Sequence, residues 1–299
     1  LECTISLASY QDQTSKSFDT DLIYCFCKFA LPMEIPGWTG FNISLRDATY
    51  SQTIIHYLPV LESPATESKT VDKLLQNAVK YCNILELPAI VVVFDEALYA
   101  KAQEIRWTQP QPKIYEKLVL RMGEFHTCMA FLATIGKRFS KSGLEDIFIE
   151  SEVFAKGSSN GVMNGLKYNR SVRGHKLMYQ ALSQLQIEQY VDTLSAPAKT
   201  EFQEAIKQMV FNYEELEIIN PDDTSHVLSA YKSHVRTMCA QSPTYCIWNS
   251  YLEMVKVLLS FIRGTRDSSW DLHLASLRMN LLYLHAYDRT NYARYVDII

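Results

Sequence analysis

The sequence predicts an α/β fold in which a parallel sheet occupies the first half of the chain and a large helical mass the second. Three observations carry this reading. Ala89 to Phe94 is an unbroken β-branched and aromatic run, too short for a free helix and too apolar for a sheet edge, so it reads as a strand buried on both faces. A second run, Leu118-Val119-Leu120-Arg121-Met122, follows an intervening helical stretch; strand, helix, strand in that order implies parallel pairing through a crossover. From Thr127 onward the apolar residues recur at helical spacing and almost nothing resembles a strand.

Taken in order, residues 1 to 62 alternate polar and apolar in short pieces, of which Leu22–Phe26 and Thr53–Leu58 read as strands. Pro32, Pro36 and Gly37 mark the loop between them, and Gly37-Trp38-Thr39-Gly40-Phe41-Asn42 suits a tight bend with its tryptophan tucked inward. A helix is expected from Ser63 as cap and Pro64 at the first helical position, with Glu67 near the positive end of the dipole. Val71, Leu74, Leu75, Ala78, Val79 and Cys82 then follow at helical spacing. Beyond the central strand and Asp95, Ala97 to Trp107 reads as a helix stopped by Pro110 and Pro112. The later stripes are Phe202, Ala205, Ile206, Met209, Val210, Tyr213; then Trp248, Tyr251, Leu252, Val255, Leu259, Ile262; then Trp270, Leu274, Leu277, Leu281, Leu284. The expected division is an α/β part at 1–135 and a helical part at 136–299, packed as one body because nothing linker-like separates them.

Composition narrows the function classes. A 299-residue chain that is 47% hydrophobic has ample material for a core. No apolar run approaches the roughly 20 residues of a membrane helix, and Leu1-Glu2-Cys3-Thr4 is read as neither a signal peptide nor a translation start but as the edge of a piece cut from something longer. Seven unevenly spaced cysteines read as reduced core thiols of an intracellular protein. Cys25-Phe26-Cys27 is taken as part of a strand rather than a metal site. A net charge of -4 argues against a broad surface coated by nucleic acid, so any such contact must be local.

Asp95 is the sharpest candidate for chemistry. A carboxylate at the C-terminal mouth of a buried parallel strand is where α/β sheets place ligand-binding groups, and burial there demands a cation, a metal or a hydrogen-bond network. Simple capping of the following helix is the competing reading. Glu124 and His126 stand similarly past the second strand; Glu124 offers an oxygen of the kind Mg²⁺ prefers, and His126 is equally well a structural residue. Asp288 extends the apolar stripe of Leu274 to Leu284, with Arg289, Asn291 and Arg294 nearby in sequence, so either an ion pair or a functional acid fits. Asp271 and His273 read as surface residues, and Glu253 as solvated. The densest basic run is Lys167-Tyr168-Asn169-Arg170-Ser171-Val172-Arg173-Gly174-His175-Lys176. Lys167, Arg170, Arg173, His175 and Lys176 are the candidate phosphate contacts there, set against a solvated helix start. Arg263 and Arg266 form a smaller basic turn that suits a helix C-terminus.

Five stretches carry a resemblance: Gly37–Asn42, Phe94–Ala102, Leu120–Thr127, Tyr168–Lys176 and Asp288–Tyr295. Together they resemble a large, mostly uncharacterised family of multicopy proteins in animal genomes derived from mobile elements. More distantly, the order strand, Asp, helix, strand, His, helix is similar to the middle of Mutator-like and hAT-like transposases. That likeness implies a ribonuclease-H-like mixed sheet with a large all-helical insertion or extension. It would make Asp95 the second acid, His126 the histidine that follows it, and Asp288 the best available third acid. The chain departs from that pattern at the first acid, where Asp19 and Asp21 precede a strand and Asp47 lies in a loop. The activity implied is Mg²⁺- or Mn²⁺-dependent cleavage or strand transfer of DNA in the nucleus, with Asp95, Glu124 and Asp288 as metal ligands. Loss of that activity in this piece, and a non-catalytic module binding nucleic acid or protein, are the alternatives. Self-association is left open.

Overall fold

The computed structural model describes residues 8–31, 34–44, 54–108, 110, 112–210 and 221–296. In chain order the helices and strands are α1 (Ala8–Phe29), α2 (Trp38–Ser44), α3 (Ser68–Ile84), β1 (Ile90–Phe94), α4 (Glu96–Thr108), β2 (Leu118–Met122), α5 (Glu124–Arg138), α6 (Leu144–Glu150), α7 (Lys156–Met163) and α8 (Tyr168–Asp192). They continue with α9 (Ala196–Val210), α10 (Pro221–Gln241), α11 (Pro243–Arg266), α12 (Trp270–Ala286) and α13 (Thr290–Val296). The described residues are 75% helical and hold one sheet of two strands. The described part is therefore mostly helical, with two parallel strands in place of the ribonuclease-H-like mixed sheet expected from the sequence.

Two compact units divide the chain: Leu1–Tyr50 with Leu132–Asn280, and Ser51–Phe131 with Leu281–Ile299.

In the strand-bearing unit β1 and β2 pair in parallel, Ile90 opposite Leu118 and Phe94 opposite Met122, as the strand, helix, strand order requires. The expectation of a strand buried on both faces does not hold. Val91 and Val93 are half exposed, as is Val119 on β2, because β-branched residues favour the pleated backbone without dictating how many faces are covered. α3 packs against both strands and α4, with Val71, Leu75, Ala78 and Cys82 as its buried stripe. It begins at Ser68 rather than just after Ser63, since Pro64 to Glu67 forms a turn closed by the Glu67 amide on the Pro64 carbonyl at 3.2 Å. Ile54 to Leu58 is not a strand and lies exposed; Thr53 falls outside the described residues, as does Asp47.

In the larger unit α1 packs against α8, α9 and α11. Leu22–Phe26, expected as a strand, lies inside α1. Tyr24, Cys25, Phe26 and Cys27 are all buried, so this stretch has no polar face from which a helical period could be read. Phe26 meets Phe202 of α9 and Tyr231 of α10 edge-on, each at 5.2 Å. α11 carries the stripe predicted for it: Tyr251, Leu252, Val255, Leu259 and Ile262 are buried. Phe202 and Ile206 of the preceding stripe are buried as well, while the side chains of Met209 and Val210 and all of Tyr213 lie outside the described residues. Gly37–Asn42 enters a helix, α2, rather than a tight bend, yet Trp38 does point inward at 4% exposure. His273, read as a surface residue, is buried with its ring 4.9 Å from Phe261 and 5.5 Å from Trp270. Among the described residues no helix is long and apolar enough to cross a membrane.

Candidate functional site

The acids singled out from the sequence do different jobs. Asp95 follows β1, and its Oδ1 accepts the Leu98 amide at 2.9 Å; a carboxylate holding the amide three residues ahead is an N-cap, and that is how α4 starts. Glu124 pairs with Arg121 three residues before it. His126 sits half-buried in the first turn of α5 with its ring edge-on to Phe125 at 5.3 Å. Asp288 does not continue an apolar stripe, because α12 ends at Ala286 and Asp288 is exposed in a left-handed turn at φ 62°. Asp19 and Asp21 belong to the other unit, paired with Lys232 and Arg263. No group of three His, Cys, Asp or Glu side chains among the described residues is placed to hold a metal ion. Asp95 does have long-range neighbours: burial first, then Glu96 and Asp95, raise the phenol pKa of Tyr292 on α13, with Arg289 opposing them.

The basic run of the larger unit builds something more definite. Tyr168, Asn169, Val172, Arg173, Lys176, Leu177 and Gln180 recur at helical spacing along one face of α8 and line a cavity of about 390 Å³. α1 contributes Tyr24 and Lys28; α2, with Gly37 before it, contributes Trp38 and Thr39; α11 contributes Leu259, Ile262 and Arg266. Four cations thus converge from three helices, and none of the lining residues is acidic. Lys28 donates to Gln180 Oε1 at 2.8 Å and to Tyr24 Oη at 3.3 Å. Lys176 donates to Thr39 Oγ1 at 3.5 Å while its ammonium stands 4.6 Å from the Trp38 ring centroid. Arg173 and Arg266 form no ion pair with an acid among the described residues. Burial, then the nearby Arg266 charge, hold the Lys176 pKa below the ordinary lysine value, with Asp21 opposing them.

A buried polar network fixes the wall of this cavity. Arg263 of α11 is 7% exposed and gives its guanidinium hydrogens to Asp21, to the Ser17 carbonyl at 2.8 Å, to Ser17 Oγ and to Asn42 Oδ1 at 2.8 Å. Trp38 Nε1 donates to Asp21 Oδ1 at 2.6 Å, and Asn42 Nδ2 to the Trp38 carbonyl at 2.7 Å. One arginine therefore ties α1, α2 and α11 together, which neutralises the Asp21 carboxylate and sets the plane of the Trp38 ring.

Of the five candidate phosphate contacts, Arg173 and Lys176 line the cavity. Lys167 and Arg170 do not line it, although they are exposed just as Arg173 is; the Lys167 stem passes over Gly161. His175 is excluded from phosphate contact. It is fully buried with Nδ1 2.8 Å from Tyr251 Oη, and burial lowers its pKa to about 4, so the ring is neutral near pH 7. Lys28, Thr39, Gln180 and Arg266 were not among the sequence candidates. The only signal available for them was the basic turn Arg263 to Arg266 and the i, i+4 spacing of Tyr24 and Lys28.

A family model described as a domain of unknown function, DUF8702, matches residues 37–299. The chain belongs to the DUF8702 family. No curated protein and no solved structure matches it. The DUF8702 span contains all five stretches noted in the sequence, and the fold sorts them into two groups. Gly37–Asn42 and Tyr168–Lys176 both supply residues to the basic cavity. In the other unit, Gly123 of the third stretch donates its amide to the Phe94 carbonyl of the second at 2.7 Å, and the fifth brings Tyr292 to Asp95 and Glu96. Of the cavity cations, Arg173, Lys176 and Arg266 lie within the DUF8702 span and Lys28 lies before it.

Proposed function

We propose that this DUF8702 domain is a non-catalytic binding module for single-stranded nucleic acid, with the phosphates held in the cavity bordered by α1, α2, α8 and α11. The observation that carries this reading is the convergence of Lys28, Arg173, Lys176 and Arg266 on one space without a lining acid, in a chain whose net charge is -4. Cations in a chain of net negative charge would ordinarily be scattered among acids. Gathered here, they form a local positive potential that attracts a phosphate, and contact there would displace counterions in proportion to the phosphates neutralised. Guanidinium groups bind phosphate oxygens in a bidentate fork and ammonium groups as point charges; the cavity offers two of each. Half-buried Tyr168 adds an aromatic edge of the sort on which bases stack.

Phosphodiester cleavage has less support, because Asp95 caps α4 and Glu124 is paired with Arg121. Fluorescence anisotropy with a labelled single-stranded oligonucleotide tests the binding reading. Binding should weaken as salt rises and fall at least about tenfold, 1.4 kcal/mol, in the Arg173→Ala, Lys176→Ala double variant with its circular dichroism unchanged. Binding that ignored both salt and the substitutions would overturn it.

A further inference from the structure

We infer that the cavity receives one nucleotide unit end-on, through a terminal phosphate monoester, and is not a track for the interior of a strand. This rests on the nucleic-acid reading above and narrows it to a nucleoside monophosphate, at a strand end or free. Size is the first argument. A volume of about 390 Å³ falls in the lower part of the range of small-molecule pockets and has room for about one nucleotide.

Charge is the second. An interior phosphodiester carries one negative charge, whereas a phosphate monoester carries about 1.5 to 2 near pH 7. Lys28, Arg173, Lys176 and Arg266 come from three different helices to surround one space. Lys167 and Arg170, the other cations of the basic run, stay outside the cavity. Four cations with no lining acid suit a dianion better than a monoanion that must enter and leave.

The third argument is the division of the lining. Beside the cations, Leu177, 43% exposed, supplies an aliphatic surface for a base or sugar, with buried Leu259 and Ile262 beneath the cavity. Thr39, Asn169 and Gln180 bring neutral hydrogen-bonding groups to the same space. A ligand with a doubly charged end and a flat, partly apolar body uses both regions, and inorganic phosphate uses only one.

The test compares one short single-stranded oligonucleotide carrying a 5′-phosphate, a 3′-phosphate or hydroxyls at both ends, with adenosine 5′-monophosphate as competitor. A phosphorylated end should bind at least about tenfold more tightly than the hydroxyl-ended strand, and Arg266→Ala should erase that difference. Displacement by the mononucleotide at concentrations similar to those of the phosphorylated strand identifies a free nucleotide as sufficient; failure to displace identifies the strand end. Equal binding of all three strands, still salt-sensitive and weakened by Arg173→Ala, would overturn this inference and leave the strand-binding reading intact. No binding of any of them would overturn both.

Discussion

Lys176 holds its ammonium 4.6 Å above the centroid of the Trp38 ring. The Arg263 guanidinium also lies by that ring, at 5.4 Å, so a single indole is in contact with two cations. One of them lines the cavity and the other belongs to the buried network with Asp21. A cation over an aromatic face is attracted to the ring quadrupole, by about 2 kcal/mol or more once desolvated. The arrangement sets a half-buried lysine between the indole face and the space a phosphate would occupy, on the same cavity as Arg266. Trp38 is in turn held by its Nε1 bond to Asp21, so the geometry of the cavity depends on an ion pair it does not expose.

That dependence predicts the behaviour of Arg263→Met. The substitution leaves the Asp21 carboxylate fully buried without its partner, which is expected to destabilise the domain by about 3–5 kcal/mol. Urea denaturation measures the loss. Replacing Asp21 as well, in Arg263→Met with Asp21→Leu, removes the stranded charge and should recover part of the stability; no recovery would show that packing rather than charge pairing matters at this position.

His175 predicts a pH dependence of stability. Its folded pKa of about 4 lies below the ordinary 6.5 because burial disfavours the charged ring. Between those values the unfolded chain binds the proton and the folded chain does not, so stability increases with pH across this window. The contribution is fully present above about pH 6.5 and is lost as the pH falls to about 4. A shift of this size corresponds to about 3 kcal/mol. Comparing wild type with His175→Gln by urea denaturation at pH 7 and pH 4.5 checks it: the variant should lack most of this component, and identical pH profiles would contradict the assignment.

Asp95 gives a local prediction. If its role is to cap α4, Asp95→Asn retains an acceptor for the Leu98 amide and should cost only a few tenths of a kcal/mol, while Asp95→Ala should cost about 1 kcal/mol. Thermal and urea unfolding of the two variants separate them. Equal losses would point to the charge beside Tyr292, and not the cap, as the reason for an acid there.

Part of this was legible in the sequence, and the rest was hidden for identifiable reasons. The two strands and the helix between them announce themselves because alternation of long elements fixes parallel pairing. How far the sheet extends does not, since a β-branched run looks the same in a two-stranded sheet as in a five-stranded one. The largest misreading was Leu22–Phe26. Enclosed by α8, α9 and α11, that part of α1 is apolar almost all round and mimics a buried strand, which also concealed Lys28, one turn beyond Tyr24. Arg173 and Lys176 could be picked out because they sit in a dense basic run, but the same run offered His175, whose burial depends on the distant Tyr251. For Asp95 both a cap and a cleft acid were open from the sequence, and the amide of Leu98 decides between capping and no capping.

The most direct measurement sets two arginines of one helix against each other. Arg170 and Arg173 are identical in charge and three residues apart, yet only Arg173 lines the cavity. Affinity for a labelled single-stranded oligonucleotide should be measured across a salt series for wild type, Arg173→Ala and Arg170→Ala. The cavity account predicts at least about a tenfold loss for Arg173→Ala, with the slope of log affinity against log salt shallower by about 0.7, and a change within about twofold for Arg170→Ala. Equal losses for the two variants would mean that α8 attracts nucleic acid as a diffuse basic surface, and would contradict the cavity as the binding site.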